Sequence, residues 1–115
     1  MTPQRAYPRF ALEVDAEIRA PDRVLPARTN NVSRGGLCFL AAEPLVVGTA
    51  VDLTLALVFD ADTHSEPLAL RARIVWCTRM TDRRYQIGAA FVQTTGEQRA
   101  YVNLFIDFLA RGQGS

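Results

Sequence analysis

The chain has 115 residues, of which 49% are hydrophobic and 22% charged, and its formal net charge is +1. This length suits one domain with a real core, and the near-neutral charge argues against a general nucleic-acid-coating protein, which would be strongly basic. The sequence contains no apolar run of membrane-spanning length and no signal peptide at its N-terminus. We therefore expect one folded domain in the cytoplasm, without membrane insertion.

The cysteines and the basic residues narrow the chemistry. Cys38 and Cys77 are far apart and lack a metal-ligand spacing, which predicts two free thiols instead of a disulfide. All 13 basic residues are arginine. A codon bias of the host is the simple explanation. It also means that any anion-binding site must use forked guanidinium groups, which suit phosphate and guanine edges.

The first 91 residues contain a series of short predicted strands. From Phe10 to Arg19 apolar and polar residues alternate, which is the period-2 pattern of a half-buried antiparallel strand. Turn residues separate this segment from five further predicted strands at 23–30, 37–40, 51–59, 68–76 and 85–91. Six short strands with no helix between them predict an antiparallel barrel or sandwich.

The pattern changes to a helical period near the C-terminus. Five apolar residues have the i, i+3, i+4, i+7, i+8 spacing of one helix face: Tyr101, Leu104, Phe105, Phe108 and Leu109. Thr95 and Gln98 have the spacing of a capping box, and Gly112 is a natural stop. We expect this helix to cover the open end of the barrel.

An arginine pair, Arg5 and Arg9, precedes the first predicted strand. The R-x-x-x-R spacing alone has little specificity, because two other pairs share it: Arg19 with Arg23, and Arg79 with Arg83. The position of Arg5 and Arg9 distinguishes them, since they lie on an arm in which Pro8 disfavours helical geometry for Tyr7. In an extended arm, residues four apart lie on the same side. We expect both guanidinium groups to face one ligand.

A polar segment with two glycines, residues 31–36, lies between the second and third predicted strands. Asn31 and Ser33 are two residues apart, so an amide and a hydroxyl point to the same side of an extended chain. The glycines Gly35 and Gly36 allow a ligand to approach the backbone closely. A polar turn with a glycine bulge is the alternative interpretation of the same residues.

Together and in this order, the two patterns resemble the PilZ domain family. That family has R-x-x-x-R just before the first barrel strand and [D/N]-x-S-x-x-G about twenty residues later. The matching residues in this chain are Arg5, Arg9, Asn31, Ser33 and Gly36. Residues 74–76 and 85–91 also look like the family's fifth and final strands. The resemblance implies a six-stranded antiparallel β-barrel with a C-terminal helix.

The resemblance also implies a ligand, the bacterial second messenger cyclic di-GMP, and no enzymatic activity. Arg5 and Arg9 would then bind phosphate and guanine, because a guanidinium group can fork onto either. Asn31 and Ser33 would read the polar edge of a guanine. Gly35 and Gly36 would leave room for the rings.

Four residues are weaker candidates at the rim of this site: Gln4, Arg34, Trp76 and Arg79. In the family, the residue before the first arginine influences whether one ligand or a stacked pair is bound. Gln4 is neither an arginine nor a bulky apolar residue, so the number of ligands stays open. Trp76 continues the inward register of its strand, which favours a place in the core.

Three other interpretations of the chain stay open. Some members of the PilZ domain family, which this chain resembles, act only as protein-interaction adaptors in pilus or motility machinery, without binding nucleotide. A small barrel can bind single-stranded nucleic acid, but this requires exposed aromatics over a basic groove, and most aromatics here lie in core registers. An enzyme requires a positioned acid, base or nucleophile, and this chain has one loop histidine and two separated cysteines.

We predict a cyclic di-GMP receptor with neither cofactor nor metal. The segment with His64, Asp60, Asp62 and Glu66 is interpreted as a solvated acidic loop, with a weak metal site as the alternative. Residues 1–9 are predicted to be a flexible ligand-binding arm, 10–111 the barrel with its helix, and 112–115 a tail. Since no output domain is evident, we expect the ligand to order the arm, which an effector protein in motility or biofilm control then recognises.

Overall fold

The computed structural model describes residues 9–55, 68–80 and 83–113, with only the backbone at 108, 109, 112 and 113. Seven strands and one helix lie within these ranges. Their bounds are β1 Phe10–Ala11, β2 Asp15–Ala20, β3 Arg23–Ser33, β4 Gly36–Ala41, β5 Ala50–Leu55, β6 Leu68–Arg79, β7 Tyr85–Phe91 and α1 Gly96–Gln113.

The strands form a closed antiparallel barrel, which confirms the fold predicted from the sequence. Their order in the sheet is β1-β3-β2-β5-β6-β7-β4, and the pairing of β3 with β4 closes the circle. Both β1 and β2 pair with β3, so they are the two halves of one interrupted strand. In the part of the chain that the structure describes, the seven elements thus make a six-stranded barrel.

The barrel interior is filled by alternate residues of every long strand. This alternation predicts which side chains are inside through most of the sheet. The largest fully buried apolar side chains are Ile106 of the helix and, on the strands, Phe39, Ile18, Leu37, Leu53, Ile74, Ile87, Val51 and Cys38. On β6, Arg71 and Arg73 face outward as predicted: Arg71 pairs with Asp52, and Arg73 donates to the carbonyl oxygen of Gly48.

Thr29 forms hydrogen bonds with the backbone of the residues between β1 and β2. Its hydroxyl is buried, donates to the carbonyl oxygen of Leu12 at 2.6 Å and accepts from the amide of Val14 at 2.8 Å. Backbone bonds from Leu12 to Asn30 and from Thr29 to Val14 also cross the break, and the Thr29 side chain satisfies the remaining carbonyl oxygen of Leu12 and amide of Val14. These contacts fix the path of β1, which leads directly to Arg9.

The C-terminal helix begins with the predicted capping box. The Thr95 hydroxyl accepts from the amide of Gln98 at 3.1 Å, and the Gln98 side chain accepts from the amide of Thr95 at 2.9 Å. The buried stripe differs from the predicted one: Val102, Phe105 and Ile106 are buried. No helix among the described residues is long and apolar enough to cross a membrane.

Two details of the helix prediction are wrong. Leu104 is 56% exposed, because the barrel contacts the neighbouring stripe, which spacing alone does not choose. The helix also continues through Gly112 to Gln113, so Gly112 does not stop it. A glycine lowers helix stability but does not by itself end a helix that has favourable neighbours.

Candidate functional site

The segment 31–36 forms the end of a β-hairpin between β3 and β4. Ser33 lies opposite Gly36, so Arg34 and Gly35 are the two loop residues. The Ser33 side chain is buried; its hydroxyl accepts from the amide of Gly35 at 3.2 Å and lies 3.4 Å from the carbonyl oxygen of Gly36. Ser33 thus stabilises the turn itself, in addition to the ligand contact that the motif predicts.

A bulge in β3 places Asn31 on the outer face of the barrel. Thr29 faces the interior opposite Phe39, and uninterrupted alternation would point Asn31 inward as well. The register shifts between Thr29 and Asn31, so that Asn31 lies opposite Cys38 instead. Cys38 precedes the core residue Phe39 and is on the other side of β4. The bulge therefore turns the amide of Asn31 outward.

The two sequence motifs meet through a hydrogen bond on this outer face. The Nε of Arg9 donates to Oδ1 of Asn31 at 2.6 Å, although the residues are 22 positions apart. The pairing of β1 with β3 brings them together, because Ala11 lies opposite Asn31. The bond orients the guanidinium plane of Arg9 at the edge of the hairpin.

Trp76 lies outside the barrel, so the prediction that it fills the core is wrong. The register between β6 and β7 shifts between Ile74 and Trp76, which leaves Val75 as an extra residue. Ile74 is 1% exposed, whereas Val75 and Trp76 are 47% and 39% exposed. A bulge reverses the side to which the following residues point, and period-2 alternation does not reveal its position.

The outer face between Asn31 and Trp76 is a shallow floor of small residues. One row of cross-strand neighbours runs across β3, β4, β7 and β6: Asn31, Cys38, Gly88 and Trp76. The adjacent row contains Ser33, Gly36, Ala90 and Arg73. Neighbouring strands lie about 4.8 Å apart, so each row spans about 14 Å. Ser33, Gly36, Cys38 and Gly88 in these rows are buried, and the Trp76 indole covers Gly88.

Packing requires glycine at two positions of this floor. A Cβ atom at Gly36 would overlap the carbonyl oxygen of Ala89, and one at Gly88 would overlap the indole of Trp76. Gly36 is therefore needed by the contact of β4 with β7, besides any need of a ligand for space. Gly88 allows the Trp76 indole to lie directly against the sheet.

Arg34 extends away from this floor and binds the helix. Its Nη1 donates to Oδ1 of Asn103 at 2.7 Å, and its Nη2 to Oδ1 of Asp107 at 2.6 Å. Asn103 and Asp107 are four residues apart, so they lie on one face of α1. The structure therefore places this candidate at the junction of the hairpin and the helix.

Of the remaining predicted site residues, Arg79 is described, and the structure does not bring it together with Arg9 and Asn31. Arg79 ends β6 opposite Tyr85 and is exposed, about 10 Å along the strand from Trp76. Gln4, Arg5 and the loop containing His64 lie outside the described residues. Among the residues that the structure describes, no group of three or more acidic, histidine or cysteine side chains is arranged to hold a metal ion.

The architecture and the position of the motifs define a class: a closed six-stranded barrel with a C-terminal helix and a polar hairpin beside its N-terminal strand. The chain belongs to the PilZ domain family, because the model of that family matches residues 3–108. The matching model is of the PilZ domain, not of a catalytic family. A search of curated proteins gives no match for this chain.

Solved structures of PilZ proteins share this fold at low sequence identity. The PilZ domain of Escherichia coli YcgR with c-di-GMP is 15% identical with a TM-score of 0.77, covering 96% of this chain and 94% of that one. Bacillus subtilis inhibitor of motility (MotI/DgrA) is 17% identical with a TM-score of 0.74, covering 97% and 54%. The K. pneumonia MrkH–c-di-GMP complex is 16% identical with a TM-score of 0.73, covering 97% and 55%. The chain thus spans about half the length of two of these proteins.

Sequence reasoning missed three features of the site. Gly88 was part of a strand pattern only, and its role depends on the indole that a bulge places above it. Asn103 and Asp107 were unremarkable polar positions on a helix. Their i, i+4 spacing beside the buried stripe was an available signal, but nothing local indicates which arginine they bind.

Proposed function

We propose that this chain is a receptor for cyclic di-GMP that binds the ligand on the outer face of β3, β4, β7 and β6 without reacting with it. The observation that carries the proposal is the Arg9–Asn31 hydrogen bond, which joins the two motifs of the family at one edge of the small-residue floor. Structural relatives with the same fold were solved with c-di-GMP, which supports the choice of ligand.

The chemistry of the floor suits this ligand. Cyclic di-GMP offers two phosphates and two flat guanine bases. In the proposal, Arg5 and Arg9 bind phosphate and the O6 and N7 atoms of guanine, while Asn31 reads a guanine edge. Trp76, 39% exposed beyond Gly88, offers an aromatic surface on which a base stacks. A contact of Ser33 with the ligand stays a prediction.

The signal in this proposal is the ordering of residues 1–8 over the ligand. Residue 9 leads into β1 beside Asn31, so the preceding segment enters at the site. That segment has two prolines and little apolar surface. Ordering it costs about 1–2 kcal/mol per residue, which the ligand contacts must exceed. An effector protein then recognises a surface that exists only in the bound state.

A calorimetric titration of the purified protein with cyclic di-GMP tests the proposal. Arg9→Ala should weaken binding roughly ten- to a hundredfold, because a lost charge-assisted partner costs about 1.5–3 kcal/mol. The matched control is Arg19→Ala, whose guanidinium bonds only an exposed Glu17 on β2 in the part of the chain that the structure describes. Equal affinities for the two variants would show that the wrong arginine was chosen.

Titrations with other nucleotides distinguish a cyclic di-GMP receptor from a protein-interaction adaptor. The protein should bind cyclic di-GMP more tightly than GMP, GTP or cyclic di-AMP, since adenine lacks the O6 acceptor for a guanidinium fork. Equal affinity for cyclic di-AMP would refute guanine recognition. If none of the four nucleotides binds, the chain is a protein-interaction adaptor instead. Amide exchange would complete the test: residues 5–9 and 31–36 should gain protection with ligand, while β5 should not change.

A further inference from the structure

Arg34 is the one loop residue of the β3–β4 hairpin whose side chain contacts another element in the described residues. Its two terminal nitrogens reach two different residues of α1 at 2.7 and 2.6 Å, across sequence separations of 69 and 73. The planar guanidinium with its fixed fork allows this double contact, which a lysine ammonium could not reproduce. The contact, named here the Arg34 clamp, consists of Arg34, Asn103 and Asp107.

The hairpin turn is held by contacts from inside and from outside the hairpin. Two-residue hairpin loops favour turns with positive φ, because those match the twist of the strands. Positive φ among the described residues occurs only at Gly48, Arg83 and Gln93, so Arg34 and Gly35 form a turn of a less favoured type. Two side-chain contacts hold this turn: the Ser33 hydroxyl, which accepts from the amide of Gly35 within the hairpin, and the Arg34 clamp, which comes from outside it.

The clamp lies at the loop end of the hairpin, next to the floor residues Ser33 and Gly36. It borders a cleft of about 440 Å³ between the hairpin and the helix, lined by Arg34, Gly35, Phe91, Thr94, Arg99 and Asn103. Ser33 and Gly36, which flank the loop, belong to the floor of the proposed ligand site. Arg34 is therefore joined to Ser33 by one peptide unit and to Gly36 by two, so a shift of Arg34 by the helix is transmitted to the floor over a short length of backbone.

We propose that Arg34 is a positioning residue that couples the ligand-binding hairpin to helix α1 and does not itself contact the ligand. This inference rests on the proposed function, since it concerns the regulation of the same site. Because coupling is reciprocal, the clamp raises the affinity of the hairpin for ligand, and ligand in turn strengthens the docking of α1. A partner that contacts the exposed surface of α1 thereby senses or alters ligand binding.

Asp107→Asn separates this role from a direct contact. The change weakens the clamp but removes no group from the ligand site, and we expect a two- to fivefold loss of affinity for cyclic di-GMP, the range of an exposed ion pair. Arg34→Gln should lose about five- to tenfold, and Arg34→Lys should be no better than Arg34→Gln. If Arg34 bound the ligand directly, releasing it from Asp107 would leave the affinity unchanged or increase it, which overturns the proposal.

A double-mutant cycle gives a second criterion. Arg34→Gln with Asp107→Asn should bind no more weakly than Arg34→Gln alone, because both changes break one contact. Additive losses would contradict the proposal. The matched control is Asp52→Asn, which breaks the exposed Arg71–Asp52 pair between β5 and β6 and should not change the affinity.

Amide hydrogen exchange without ligand keeps this inference distinct from the proposed function. The amide of Phe91, which donates to the carbonyl oxygen of Gly35, should exchange faster in Asp107→Asn than in Asp52→Asn. Faster exchange in a protein that binds no cyclic di-GMP would refute the receptor function and retain the clamp. Normal exchange and normal affinity in Asp107→Asn would refute the clamp and retain the receptor.

Discussion

The two halves of the barrel are built differently. The pairings of β2 with β5 and of β5 with β6 run without a register shift, and their interior residues alternate regularly. The half that contains β3, β4, β7 and the end of β6 has two shifts, one at Thr29/Asn31 and one at Ile74/Trp76. Both shifts turn a residue of the proposed site outward.

The difference shows how one barrel separates stability from recognition. A regular strand places every second side chain in the core, which buries apolar area. The same alternation fixes which residues face outward. A bulge adds one residue and re-aims those after it. In this barrel the two bulges lie at opposite edges of the small-residue floor, so Asn31 and Trp76 flank it.

A core residue of the regular half should affect stability and leave ligand binding unchanged. Leu53 on β5 is completely buried, and Leu53→Ala should lower the free energy of unfolding by about 2–5 kcal/mol through lost burial and a cavity. Affinity for cyclic di-GMP, measured well below the melting temperature, should stay the same. Val47→Ala, at a side chain 58% exposed, is the control in the same denaturation experiment. A large loss of affinity in Leu53→Ala would contradict the separation of the two halves.

The bulged half depends on the hydroxyl of Thr29. Thr29→Val keeps the shape but removes the bonds to Leu12 and Val14, and should cost about 1–3 kcal/mol of stability. Unlike Leu53→Ala, it should also weaken ligand binding, because the path of β1 positions Arg9. Thr54→Val on β5 is the matched control and should change neither quantity. An unchanged affinity in Thr29→Val would show that β1 is held by other contacts.

The outward-facing side chain of Trp76 should affect ligand binding. Trp76→Ala should weaken cyclic di-GMP binding about tenfold if a base stacks on the indole. Val75→Ala, at the neighbouring exposed residue of the same bulge, should leave the affinity unchanged. Gly88→Ala should reproduce part of the Trp76 effect, because its methyl group displaces the indole. Identical affinities for Trp76→Ala and Val75→Ala would remove Trp76 from the site.

The smallest effect is expected at an exposed ion pair between β2 and β3. Asp15→Asn breaks the 2.9 Å contact with Arg28 and should cost about 0.2–1 kcal/mol at low salt, and less at high salt. Chemical denaturation at two salt concentrations measures this. Ligand affinity should not change, in contrast to Asp107→Asn at the Arg34 clamp. A loss of affinity in Asp15→Asn would mean that any surface charge affects the site.

Much of the site could be predicted from sequence because its motif residues are local. Asn31, Ser33 and Gly36 are close in the chain, and the hairpin that carries them follows from the strands on either side. The resemblance assigned Arg9 and Asn31 to one ligand, but the hydrogen bond between them was not predicted, because it depends on the pairing of β1 with β3. The Arg34 clamp could not be predicted, because it joins residues about 70 positions apart whose polar side chains fit any solvated surface.

By itself the sequence determined the alternating strands, the capping box of the helix and the order of the motifs, because each depends on residues a few positions apart. Only the tertiary structure decided that Trp76 faces outward, that Leu104 is exposed and that Arg34 binds α1. A bulge forms where one of two paired strands has one residue more than the other. A helix buries the side chains that face the surface on which it packs. Both depend on a partner that is distant in the chain.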